Sequence, residues 1–147
     1  MSTIAATAST TTRTLPTLSR PVAVLGGVAA AVVANLIIWL IGAAAGGSFL
    51  VTEGTTVTDV APGGVVIASA VPLLIGLTAA VLLSYLWTGV LRVAEVVGSV
   101  LAVATIGLTV AAEFDTATTI ALSVMHVALV PVIVVALEGV RRGVNAR

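Results

Sequence analysis

The chain has 147 residues, room for one domain, with 59% apolar and 8% charged side chains and a mean hydropathy of +1.26, where soluble domains carry roughly 25% charged residues. Such a composition excludes a water-soluble globule and makes the lipid bilayer the expected solvent and partner. Six arginines balance six acids without forming a basic patch, which excludes nucleic acid as a partner; the absence of cysteine removes disulfides, thiol redox chemistry and thiolate metal sites.

Residues 1–19 are rich in Thr, Ser and Ala, contain no acid and show no hydrophobic period. The expectation is a disordered tail. Four long apolar runs follow, at about 21–43, 64–87, 93–112 and 118–137, each near the ~20 residues that a helix needs to cross a ~30 Å hydrocarbon layer. The first could be a secretory signal, because Arg13 and Arg20 precede it and Ala43, Ala44 and Ala45 resemble a cleavage site. Its apolar length exceeds the ~7–15 residues of a signal core, so a retained helix is expected. Within it, Gly26, Ala30 and Ala34 form one row of small residues at four-residue spacing, and Gly27, Ala31 and Asn35 form a second. Such rows let helix backbones approach closely in a solvent that gives no hydrophobic drive between helices.

The connection over 44–63 contains "SFLVTEGTTVTDV", whose β-branched and aromatic residues flank Glu53-Gly54. Two short extended segments with a turn, a small hairpin, are expected there. The second run holds Pro72 and the fourth Pro131, which free the carbonyls of Ala68 and Val127 from helix bonding. Ser69 and His126 each lie one residue from a freed carbonyl. The connections at 88–92 and 113–117 are short enough to make successive helices antiparallel neighbours. The third run carries a further small-residue row, Ala94, Gly98 and Ala102, and Asp115 stands where it would cap the fourth.

Every arginine lies before the first run, between the second and third, or after the fourth, where Arg141, Arg142 and Arg147 form a basic tail over 141–147; the other two connections carry only acids, Glu53, Asp59, Glu113 and Asp115. The positive-inside rule then places both termini in the cytoplasm. Glu95 is one turn from Arg92, and Glu138 is three and four residues before Arg141 and Arg142, spacings at which ion pairs form. Trp39 and Trp87 near helix ends suit anchoring at the headgroup level.

Counting helical rises places His126 and Asn35 each about 12 Å below the outer boundary. Thr105, Thr109, Ser69 and Ser123 fall in the same half. Imidazole and amide groups facing lipid cost several kcal/mol, roughly, so a cluster centred on His126 and Asn35 is expected. One chemistry for it is a titrating or ligand-binding site, because imidazole changes charge near neutral pH; the other is a hydrogen-bonded histidine that fixes helix register. Haem, zinc and hydrolase chemistry lack the ligands or nucleophile they need: there is one histidine, Met125 points about 100° away from it, and Asp115 lies above it. No cofactor or metal is expected.

The last run, "TTIALSVMHVALVPVIVVAL", with the Thr-rich basic start and four-helix layout, resembles an uncharacterised family of small actinobacterial membrane proteins. The likeness spans Arg20 to Leu137 and is most specific over "ALSVMH", Ala121 to His126. It implies a multi-pass plasma-membrane protein, offers no activity and draws attention to His126. A claudin-like layout lacks its paired loop cysteines here, and quinone-linked thiol enzymes are excluded by the same absence. The resulting expectation is an all-α membrane protein: an antiparallel four-helix transmembrane bundle over 20–140, without catalysis. It would act by assembling as a homo-oligomer or by binding another membrane component; the alternative is a small transporter with an outward pocket around His126 and Asn35.

Overall fold

A computed structural model of the chain describes residues 15–53 and 55–146. The tail expected over 1–19 falls outside the described residues as far as 14, as do Arg13 and Arg147. The elements, in chain order, are α1 (Arg20–Ala44), β1 (Leu50–Glu53), β2 (Thr56–Asp59), α2 (Pro62–Leu83), α3 (Val90–Ala111) and α4 (Thr116–Asn145). All four helices are long and apolar enough to cross a membrane.

The helices start where local chemistry starts them. Pro21 and Pro62 occupy the first turns of α1 and α2, where an amide has no intrahelical partner to lose. Asp115 caps α4, accepting the Thr118 amide at 2.9 Å. Hydropathy misplaced two ends. The Ser84 hydroxyl donates to Val81 O at 2.7 Å, and a run of turns carries the chain over 84–89, so α2 stops at Leu83 although apolar residues continue to Trp87. Helix α4 runs eight residues past the apolar stretch, to Asn145, because Glu138 receives both Arg141 and Arg142 one turn on, a spacing that stabilises a polar helix. Both prolines are tolerated inside their helices with exposed rings.

Helix α4 is the shared partner. Helices α1 and α3 both pack along it without approaching each other, and α2 lies against α1 with lighter contact to α3 and α4. Gly27 of α1 sits beside Ala136, and Gly42 beside Ala121, so the start of α1 meets the end of α4. Helix α3 is peripheral: 11% of its span is buried, against 22–33% for the other three. The β1–β2 hairpin is antiparallel, pairing Leu50 with Asp59 and Glu53 with Thr56, as its sequence suggested. It stands at the end of the bundle that also carries the α3–α4 connection; this is the hairpin end, and the opposite end, with the chain termini and the α2–α3 connection, is the terminal end.

Buried side chains fall into two clusters. The larger, in the terminal half, joins Ala23, Leu77, Leu91, Ile133, Leu137 and Val140 among others. The smaller, at the hairpin end, is built on Phe49, Val65, Ala121 and Met125, with Trp39 and Val60 packed against it. On α2 the stripe Val65, Ser69, Leu73, Leu77 and Val81 is buried at every fourth residue.

Candidate functional site

Of the polar residues expected to converge in the hairpin half, the structure joins two. Asn35 and Ser69 are both buried, and the Asn35 Nδ2 donates to Ser69 Oγ at 2.8 Å across α1 and α2. Their positions on the two helices separate the larger apolar cluster from the smaller. The Asn35 Oδ1 has no hydrogen-bond partner among the described residues.

His126 does not belong to that pair, which corrects the expectation of one cluster centred on both. Its Nδ1 lies 2.7 Å from Leu122 O, one turn back on its own helix, and the side chain is half-buried. Thr105 donates to Leu101 O at 2.7 Å and Thr109 to Thr105 O at 3.3 Å, again within one helix. Ser123 is half-buried and Thr109 buried. Back-bonding to the i−4 carbonyl explains the dispersal: it satisfies a hydroxyl or imidazole in a low-dielectric medium without help from a second helix. The freed carbonyls of Ala68 and Val127 are not the acceptors; Ser69 and His126 bond elsewhere.

The structure chooses between the small-residue rows of α1. Gly27, Ala31 and Asn35 are buried, whereas Gly26 and Ala30 are exposed and Ala34 is half-buried. A Cβ added at Gly27 would meet Leu77 at 3.0 Å and Ala136 at 3.5 Å; one added at Gly26 would meet nothing within 4 Å. The Gly26 row is therefore not a packing row within this chain. On α3, Ala102 is buried, Ala94 and Gly98 are half-buried, and a Cβ at Gly98 would touch Ile133 at 3.4 Å.

The most extensively connected constellation is at the hairpin end. The Asp115 carboxylate accepts four hydrogen bonds: from the Thr118 amide and hydroxyl at 2.9 and 2.6 Å, and from the Ser48 amide and hydroxyl at 3.0 and 2.7 Å. Thr118 Oγ1, fully buried, accepts the Phe49 amide at 3.0 Å. Phe49 O accepts the Val60 amide at 2.8 Å, and Val60 O accepts the Trp39 indole N–H at 2.8 Å. Trp39 and Phe49 pack ring against ring, centroids 5.3 Å apart and tilted 36°. A helix cap, both ends of the hairpin and α1 are thus closed into one network.

Two backbone features mark how tightly this clamp is built. Phe49 has φ of 53°, a left-handed conformation that is costly for a bulky residue. Its amide and carbonyl are both engaged, and its 3% exposed ring is seated against Gly42. At Gly42 a Cβ would lie 2.6 Å from Ala121 Cβ and 2.9 Å from the Phe49 ring, so only glycine allows the helix, the ring and α4 to meet. The hydrogen bonds from Thr118, then those from Ser48, hold the Asp115 carboxyl well below the usual carboxylate range.

A capping role for Asp115 is legible from its place before α4, but nothing adjacent to it indicates that Ser48, 67 residues away, shares the carboxylate. Trp39, at a helix end that suits a headgroup anchor, instead uses its N–H to hold the hairpin; Trp87 is exposed. At the terminal end, Glu138 bridges Arg141 at 2.6 Å and Arg142 at 2.8 Å, while no bridge joins Arg92 to Glu95 among the described residues. No group of three His, Asp or Glu side chains among the described residues is placed to hold a metal ion.

A family model matches residues 16–143, and the chain belongs to that family, a family of unknown function designated DUF6069. No curated protein and no solved structure matches the chain.

Proposed function

We propose that this member of a family of unknown function is a non-enzymatic, multi-pass plasma-membrane protein, an antiparallel four-helix transmembrane bundle with both termini in the cytoplasm. Its hairpin is held on the outer face as a contact surface for another membrane component. The observation that carries this reading is the clamp: four hydrogen bonds to Asp115 and the Trp39–Val60 bond fix a hairpin whose Leu50 and Val57 are nonetheless 47% and 60% exposed. A hairpin alone is marginal in water, and a mobile loop would suffice as a mere connection. Fixing two exposed apolar side chains above the bilayer suits recognition.

The arginine distribution supports the orientation, because the hairpin end carries the acids and no arginine among the described residues. A transporter built around His126 and Asn35 has less support, since Asn35 is engaged by Ser69 and His126 by its own helix. The cysteine-free chain makes the test clean. Val57→Cys is expected to react with a membrane-impermeant maleimide on intact cells, and Arg142→Cys only after permeabilisation. A photo-crosslinking residue at position 57 is expected to give a discrete protein adduct, and one at the lipid-facing Ile75 none. The reverse labelling pattern, or crosslinking to lipid alone at position 57, would overturn the reading.

A further inference from the structure

At the terminal end, a groove of about 470 Å³ is lined by Thr17, Ser19, Arg20, Tyr85, Gly143 and Ala146 among others. Arg20 is held there. Its guanidinium carbon lies 4.0 Å from the centre of the Tyr85 ring, its Nε donates to Ser84 Oγ at 3.3 Å, and Ser84 is anchored to Val81 O. Unlike Arg141 and Arg142, which share Glu138, Arg20 has no carboxylate within 4 Å among the described residues. A stacked guanidinium whose terminal nitrogens bond to none of the described residues is prepared for bidentate contact with a phosphate.

A second groove, about 380 Å³ and almost wholly apolar, lies between α1 and α4, lined by Val22, Gly26, Ala30, Pro131 and Val135, and shares Leu18 with the first. Gly26 keeps it open. No neighbour lies within 4 Å of where its Cβ would be, so the glycine leaves the groove between the two helices unfilled. From Arg20 to Ala30 the groove extends about 15 Å along α1, the reach of much of an acyl chain.

We propose that these two grooves hold one anionic phospholipid, its phosphate on Arg20 beside Thr17 and Ser19, and one acyl chain passing Leu18 into the channel floored by Gly26. The inference rests on the reading that the helices cross a membrane. A lipid is favoured over a soluble phosphate because the cationic groove adjoins an apolar one at Leu18. Charge agrees: among the described residues, four arginines at this end face two glutamates, the balance that draws anionic lipids.

The test is native mass spectrometry of the full chain released from nanodiscs made of equal parts phosphatidylglycerol and phosphatidylcholine. One phosphatidylglycerol per chain is expected to be retained in preference to phosphatidylcholine. Arg20→Gln is expected to lower phosphatidylglycerol retention by about fivefold, the equivalent of one interfacial arginine, and phosphatidylcholine retention by less, because choline already offsets the phosphate charge in that lipid. Gly26→Leu, whose Cβ would meet nothing within 4 Å and whose branch would occupy the apolar groove, is expected to lower retention of both lipids while the thermal midpoint stays near that of the unaltered chain. Equal retention of the two lipids, retention unaffected by both variants, or complete displacement by inorganic phosphate would overturn the proposal. A chain that failed to enter nanodiscs at all would instead contradict the membrane reading beneath it.

Discussion

The hairpin end and the interior of the bundle treat their polar groups in opposite ways. At the hairpin end, Asp115, Thr118, Ser48, Phe49, Val60 and Trp39 bond across four segments of the chain. In the interior, His126, Thr105 and Thr109 bond to carbonyls of their own helices, and among the described residues Asn35–Ser69 alone crosses between helices. The difference follows from solvent. Near water each hydrogen bond gains little over hydration, and a connected network holds where isolated bonds would exchange with solvent. In hydrocarbon an own-helix carbonyl already serves, so polar residues there do little to fix how helices meet.

The sharpest way to break this contrast is to empty the clamp. Phe49→Ala removes a ring that is 3% exposed and is expected to destabilise the hairpin-end cluster by about 3–5 kcal/mol, read as early proteolysis within the hairpin while the helices stay resistant. Overfilling is the next strongest perturbation. Gly42→Val places a branch against Ala121 and Phe49, with an expected cost of about 1–3 kcal/mol in thermal unfolding in detergent. Gly26→Val, in open space on the same helix, should shift the midpoint little. A smaller effect is expected for Asn35→Leu, about 0.6–1.7 kcal/mol, the range of hydrogen bonds between membrane helices. His126→Leu should be smaller still in the same unfolding assay, since one own-helix bond is lost.

Acidification sharpens the comparison from the other side. Because the folded Asp115 carboxyl is held below its ordinary value of about 3.9, the clamp's share of stability is fully present above that value and is lost as pH falls through the folded one. Hydrogen-exchange protection of the Ser48 and Phe49 amides should therefore be level from about pH 8 to 5 and decline below about pH 4. Interior amides such as that of Leu73 should show no such decline. Asp115→Asn should weaken protection already at neutral pH, because it retains one acceptor oxygen without charge.

The contrast also explains what could be read from the sequence. Hydropathy placed the four helices, because crossing hydrocarbon imposes a length and composition on each span independently of the others. The hairpin was legible for a similar reason, its β-branched residues flanking Glu53-Gly54 being a local signal. What could not be read was any pairing set by distance in the chain. Gly26 and Gly27 are neighbours with nearly identical local contexts, and only the position of α4 decides that one packs and the other opens a groove. Trp39 at a helix end is equally suited to a headgroup or to Val60 O. His126 stood out because it is chemically unusual, yet its hydrogen bond to Leu122 O is one that the helix itself supplies.

The central claim, that the hairpin is a fixed surface and not a loose connection, is tested most directly by hydrogen exchange at the Phe49 amide in nanodiscs at neutral pH. The account predicts protection like that of the α4 amides around Ala121, lost when Thr118 is replaced by Ala. Exchange as fast as that of an unstructured peptide, with or without Thr118, would contradict it.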